Sequence, residues 1–319
     1  MSRSLLVFLC GVVLVVAGAY LFGSDKIGLV SPIPRIFGVS YDQTLKNEWF
    51  PKETGRDNGD LILGANSAIL VDYDTGEIIY GKNIHNRQPV ASTVKIMTAL
   101  LALKNNKPED VFTISESASK VGENSMILGA DEKLTLDELL YGMMLVSGND
   151  AATAIAENVA GSTQKFVPMM NQAVRELGLS DTKYANPSGL DEDDKTQYST
   201  AYDMTVIAHY LWENYPHIRD ITSTYHKYIE ATEDHKDYEL YNDTNLLTSY
   251  PGVKGIKPGF TWESGMCLVT YAENGGKRLL GVVLGTDDRR GEMKELLDYG
   301  YAYYGIKIDH PGLDLQAAE

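Results

Sequence analysis

A serine followed three residues later by a lysine, in Ser92-Thr93-Val94-Lys95, brings a hydroxyl and an amine together if the segment is helical, because residues three apart share a helix face. Two further runs supply groups that such a pair needs: Ser147-Gly148-Asn149 and Lys257-Pro258-Gly259. A serine hydroxyl attacks well only when a base takes its proton. Lysine can be that base once burial or a neighbouring positive charge depresses its usual pKa of ~10.4. The three runs together therefore read as acyl transfer through a serine activated by lysine rather than histidine.

Spacing alone does not select Ser92, since Ser117 with Lys120, Ser162 with Lys165 and Ser180 with Lys183 repeat it. The surroundings select it. Lys95 opens an apolar run through Leu103 that reads as a buried helix, so the amine is expected to be buried and next to the positive helix end. Ser162, after Gly161, reads as the N-cap of an amphipathic helix from Phe166 to Leu177, Ser180 as part of a turn, and Ser117 as part of a solvated polar run. The bland alternative for the first motif is a capping Ser92 with Lys95 reaching out to solvent.

The second motif falls between a helix expected from about Leu134 to Val146 and an Ala-rich helix from Asp150 to Ala160. At a tight helix junction Ser147 can relay a proton and Asn149 can offer an amide to a peptide, although Ser-Gly-Asn is also ordinary capping composition. The third motif precedes the strand-like Met266-Cys267-Leu268-Val269-Thr270-Tyr271, so Lys257 is expected on a strand. There its charge would hold an anionic terminus and depress Lys95. The alternative is a turn with solvated edge lysines.

Longer phrases surround the motifs in order: Ala68-Ile69-Leu70-Val71-Asp72-Tyr73-Asp74-Thr75-Gly76-Glu77, Leu139-Leu140-Tyr141-Gly142-Met143-Met144-Leu145, Asn186-Pro187-Ser188-Gly189-Leu190 and Tyr198-Ser199-Thr200-Ala201-Tyr202-Asp203-Met204. With these the chain, from about Asn66 to Tyr304, resembles the serine-type D-alanyl-D-alanine carboxypeptidases, the low-molecular-mass penicillin-binding proteins. The resemblance implies that Ser92 attacks the penultimate D-alanine of a peptidoglycan stem peptide ending in D-Ala-D-Ala, with Lys95 as base and Ser147 and Lys257 sharing proton transfer and electrostatic duty. It also implies that Asn149 holds the peptide, that the N–H groups of Ser92 and Phe260 form an oxyanion hole, and that β-lactam antibiotics act as covalent inhibitors.

One position departs from the family pattern, whose third motif reads Lys-Thr-Gly or Lys-Ser-Gly: here the middle residue is Pro258. A hydroxyl for the substrate carboxylate is missing, and Thr261 is a candidate to replace it. Arg289, near the start of the last helix, resembles the arginine aimed at the terminal carboxylate. Two rival readings are a β-lactamase-like hydrolase of the same fold, which needs a further carboxylate for which no Glu-x-x-Asn motif stands in the usual context between Ser147 and Lys257, and a weakly active or non-catalytic wall-binding protein.

Several classes are excluded. None of the six histidines sits in a His-Glu-x-x-His pattern, so no metal or other cofactor is expected. There is no Gly-x-Ser-x-Gly elbow or phosphate loop, and a net charge of -16 would repel nucleic acid and anionic lipid. Arg3 precedes an uncharged apolar run from Leu5 to Phe22, read as a secretion signal or an N-terminal anchor. An extracytoplasmic location follows, with membrane contact expected only through that segment. Cys267 reads as a core residue.

The elements that must position these groups come from both ends of the chain. Strand signals cluster near Ala68 to Gly81 and Gly265 to Thr286, and the middle reads as mostly helical. The expected fold is α+β: an antiparallel sheet built from both chain ends beside a helical lobe, which agrees with the transpeptidase/β-lactamase-like fold implied by the resemblance. The expected layout is 1–23 signal or anchor, 24–64 linker or extension, 65–306 catalytic domain and 307–319 tail.

Overall fold

Strands from the two ends of the domain meet in one sheet. In the computed structural model, residues 44–54, 59–191, 196–244 and 246–310 are described, all within the unit Gln43–Glu319. Five strands, β1 (Ser67–Asp72), β2 (Ile78–Lys82), β3 (Val253–Thr261), β4 (Gly265–Asn274) and β5 (Lys277–Thr286), form an antiparallel sheet in the order β2-β1-β5-β4-β3. Ala68 pairs with Val283 and Leu70 with Gly281, which joins the two chain ends. β3 is left at an edge.

Both faces of the sheet are covered, so its strands are almost continuously apolar. Side chains alternate across a strand. Ile69, Val71, Leu280 and Val282 pack against the helical lobe, while Ala68, Leu70, Leu279 and Val283 pack against Met293, Leu296, Leu297 and Tyr301 on the other face.

The lobe contains α1 (Lys95–Asn105), α2 (Leu136–Leu145), α3 (Asn149–Ala160), α4 (Thr163–Glu176) and α5 (Ala201–Asn214), and α6 (Arg289–Tyr303) covers the opposite face. Thr135 and Glu138 form a reciprocal capping box at the start of α2, and the Ser162 hydroxyl accepts from Lys165 N to start α4. α1 is buried nearly all round, with Ile96, Met97, Ala99, Leu100 and Ala102 fully enclosed.

Three local features refine the expectations. Residues 44–53, expected from their composition to be linker or extension, pack on the domain as an extension does: Leu45 is buried, Trp49 stacks on His209 with ring centroids 3.7 Å apart, and the Lys52 backbone forms an isolated parallel β-bridge with Glu77. Ser92 lies in a 3-10 turn, Ala91–Val94, that runs straight into α1, not inside the α-helix itself. The helical middle also carries two small ribbons, Val111–Thr113 with Lys133–Thr135 and His226–Ile229 with Tyr238–Tyr241. The apolar run from Leu5 to Phe22 lies outside the described residues, among which no helix is long and apolar enough to cross a membrane.

Candidate active site

The 3-10 turn puts the Ser92 hydroxyl 3.0 Å from Lys95 Nζ. Lys95 does not reach out to solvent; it is fully buried. Its Nζ also donates to Asn149 Oδ1 at 2.7 Å and to the Ser188 carbonyl at 2.6 Å. A neutral amine has two N–H donors and one lone pair. The two acceptors use both donors, which leaves the lone pair for the Ser92 O–H. Burial first, and then the nearby Lys257 charge, hold the Lys95 pKa well below its usual value, against a smaller upward pull from Asp243, Asp150 and Glu123. Contact geometry and the lowered pKa both suit a general base.

Ser188 belongs to the Asn186-Pro187-Ser188-Gly189-Leu190 phrase, folded so that Asn186 Oδ1 accepts from Ser188 N at 3.2 Å and from Gly189 N at 2.7 Å. Gly189 has φ +88, and a Cβ there would stand 2.0 Å from the Ala91 carbonyl oxygen. Only glycine lets this turn close on the turn that carries Ser92.

Neither Asn149 nor Asp150 is the N-cap of its helix, although Asp150 Oδ1 accepts from the first-turn Ala151 N at 2.8 Å. Gly148 occupies the N-cap without a side-chain bond. Asn149 instead faces Lys95, and its Nδ2 donates to the Gly122 carbonyl at 3.2 Å. Asp150 is fully buried, accepting from Met126 N, Leu128 N and the Ser125 hydroxyl at 2.9, 3.0 and 2.7 Å. It thereby secures the loop whose Asn124 carbonyl accepts from Asn149 N. Ser147 is buried at φ +60, a conformation that costs a non-glycine residue of order 1 kcal/mol. Its hydroxyl has no hydrogen-bond partner among the described residues.

The third motif lies on edge strand β3. Gly259 pairs with Cys267 and passes so close to the first motif that a Cβ on it would stand 3.0 Å from Ser92 N. Pro258 is accommodated because an edge strand has one side free of the ladder. Two residues on, the Phe260 N–H lies on the same side of the strand as the Pro258 nitrogen, because a strand alternates its N–H groups. Lys257 is fully buried, with Asp243 Oδ1 3.7 Å from its Nζ. Burial pushes its pKa down, Asp243 pushes it back up, and Arg289 adds a further downward push. Arg289 begins α6 and donates from Nη1 to the Gly259 carbonyl at 3.3 Å.

Ser92, Lys95, Asn149, Lys257 and Arg289 are thus tied into one cluster by contacts or charge, with Ser147 at the junction leading into Asn149. Thr261 is held apart from it. Its hydroxyl bonds Ser264 Oγ at 3.0 Å and accepts from Ser264 N at 3.1 Å, in the turn between β3 and β4. The Phe260 ring stands at the rim beside the highly exposed Trp262, centroids 5.5 Å apart. Asp243, Asp150 and the Ser188 carbonyl were not singled out from the residues. The Asn-Pro-Ser-Gly-Leu phrase marked the last, but nothing local marks Asp243.

Residues 55–288 match the D-alanyl-D-alanine carboxypeptidase family of S11 peptidases. The D-alanyl-D-alanine carboxypeptidase DacF of Bacillus subtilis is 38% identical over 263 residues, covering 80% of this chain and 67% of that protein. DacA of Haemophilus influenzae is 35% identical over 255 residues, covering 76% and 63%. The chain therefore spans about two thirds of the length of these curated relatives. Among solved structures, the Streptomyces K15 DD-transpeptidase superposes with a TM-score of 0.71 at 31% identity, covering 76% of this chain and 98% of that one.

Proposed function

Because this chain belongs to the D-alanyl-D-alanine carboxypeptidase family, we propose that it removes the terminal D-alanine from peptidoglycan stem pentapeptides through an acyl-enzyme on Ser92. The observation that carries this reading is the 3.0 Å contact between Ser92 Oγ and a buried Lys95 whose other two contacts are both acceptors.

Lys95 takes the Ser92 proton as Oγ bonds to the carbonyl carbon of the penultimate D-alanine. General-base help of this kind is worth about 10²–10⁴ in rate. The N–H groups of Ser92 and Phe260 receive the developing oxyanion, for which one donor contributes roughly 2.7–4 kcal/mol. The C–N bond then breaks, and the proton passes through Ser147 to the leaving amine of D-alanine. Water cleaves the resulting ester with Lys95 again as base. Lys257 and Arg289 hold the terminal carboxylate, and Asn149 both orients Lys95 and offers its amide to the peptide.

The committed hydroxyl of Thr261 weighs against its replacing the one absent at Pro258, so carboxylate recognition rests on the two cations. No step needs a metal or an organic cofactor. The substrate polymer lies outside the cytoplasm, and the apolar N-terminal run suits export as a cleaved signal or a retained anchor, with no other membrane contact required. β-Lactams, which present a strained amide to the same serine, act as covalent inhibitors.

The test combines D-alanine release from a peptide ending in D-Ala-D-Ala with intact-mass analysis after penicillin treatment. We expect released D-alanine and a single adduct that is lost in Ser92→Ala. No D-alanine and no adduct would refute the assignment, and rapid penicillin turnover without a long-lived adduct would favour a β-lactamase.

A further inference from the structure

Two buried polar atoms face each other in the site without a hydrogen bond among the described residues: Lys257 Nζ and Asp243 Oδ1, 3.7 Å apart. At that separation the charges attract, yet among the described residues neither atom has closed a hydrogen bond, so each keeps bonding capacity for a third group. The Asp243 backbone is well fixed. Its N–H donates to the Leu145 carbonyl at 3.0 Å, two residues before Ser147, and the neighbouring Asn242 amide donates to the Thr222 and Thr224 carbonyls at 3.1 and 3.0 Å. This carboxylate therefore stands between the second and third motifs, at a position that no motif contains.

The charges around it explain why an anion is needed there. Lys257 faces Asp243, Arg289 and Lys95, and Lys95 in turn faces Lys257, Asp243, Asp150 and Glu123. Two fully buried amines beside a guanidinium disfavour one another's charged forms. An ammonium that discharges can no longer attract an anionic substrate terminus.

Building on the carboxypeptidase reading, we propose that Asp243 is the resident counter-ion of Lys257. It keeps the ammonium charged while the cleft is open and yields it to the terminal carboxylate when the peptide binds. Asp243 is then a positioning and specificity residue that acts through Lys257 and touches no reacting atom. Its strength is a compromise: a nearby anion keeps Lys257 charged but also competes with the incoming carboxylate. The pull it exerts on both lysines is upward.

The experiment compares the protein with Asp243→Asn, a variant that loses no hydrogen bond at Oδ1 among the described residues. Asp243→Ser is the second variant if the amide form folds poorly. Removing the anion lets both lysines lose their protons at lower pH, so both limbs of the pH profile of kcat/KM should move to the acid side. Below the alkaline limb, KM for a peptide ending in a free carboxylate should fall by up to about fivefold with kcat little changed, the scale of one partly exposed ion pair. The ¹³Cε resonance of Lys257 should titrate at lower pH in the variants than in the parent, a readout independent of turnover. Lys257 titrating identically with and without Asp243, or limbs and KM unmoved in an active enzyme, would overturn the proposal. An inactive parent would instead refute the carboxypeptidase reading, and the resonance comparison would still decide the counter-ion.

Discussion

Replacing Gly259 with alanine probes the joint between the third motif and the nucleophile. The added Cβ would stand 3.0 Å from Ser92 N, 3.1 Å from Ala91 Cβ and 3.2 Å from Thr93 N. Two of these neighbours are backbone nitrogens in a turn that is braced by Thr93 N and its hydroxyl, both bonding the Val90 carbonyl at 3.2 and 2.6 Å. Neither can rotate away, so relief requires β3 and the turn to separate by about 0.4 Å or more before ordinary van der Waals distances return. Overpacking of this kind costs ~1–3 kcal/mol. At about 2–4 °C per kcal/mol for a domain near this size, the melting temperature should fall by several degrees. The separation also pulls the Ser92 and Phe260 N–H groups apart. Loss of one oxyanion donor costs about 10²–10³ in rate, so a partly opened pair should cost roughly 10- to 100-fold. Stopped-flow acylation by a fluorescent penicillin, normalised to folded protein, reads the effect directly. Parental acylation within about twofold and an unchanged melting temperature would show that β3 does not abut the turn, and the oxyanion assignment would fall with it.

Three further outcomes are expected. Lys257→Met removes a charge that holds the Lys95 pKa down, so Lys95 keeps its proton to higher pH and the acid limb of the acylation profile should move to the alkaline side. A limb that stays put would argue against Lys95 as base. Pro258→Thr supplies the absent hydroxyl and should raise kcat/KM for carboxylate-terminated peptides about tenfold, the lower range for a hydrogen bond to a charged group; no gain would mean that Lys257 and Arg289 suffice. Asp150→Ala strands Met126 N, Leu128 N and the Ser125 hydroxyl and also removes the acceptor of the first-turn Ala151 N. At ~1 kcal/mol or more each, thermal unfolding should show a loss of roughly 3 kcal/mol, and a near-neutral result would mean that the loop re-pairs with water.

How much could be read without the structure differs from group to group, for physical reasons. Ser92 and Lys95 are three residues apart, and their contact follows from local helical geometry together with the apolar run that buries α1. The sheet is legible because strands buried on both faces leave continuous apolar runs at each end of the domain. Glycines beside the motifs were visible as letters, but not the reason for them. Gly189 and Gly259 are needed because two other segments press on the turn carrying Ser92.

For residues 44–53 the sequence left linker and extension open, because Pro, charge and lack of periodicity hide the fact that single side chains such as Leu45 and Trp49 fill sites on the finished surface. The partner of the Thr261 hydroxyl was not legible, because only the turn to β4 brings Ser264 against it.

By itself, the amino-acid sequence determined the order of the motifs, the buried helix behind the first and the two-ended sheet, since periodicity and burial are properties of neighbouring residues. Only the tertiary structure decided what Lys95 bonds, reaching Asn149 and Ser188 at sequence separations of 54 and 93. The same holds for Asp243, the anion beside Lys257. Electrostatic pull falls with distance and rises with desolvation, and neither quantity exists until the chain has folded.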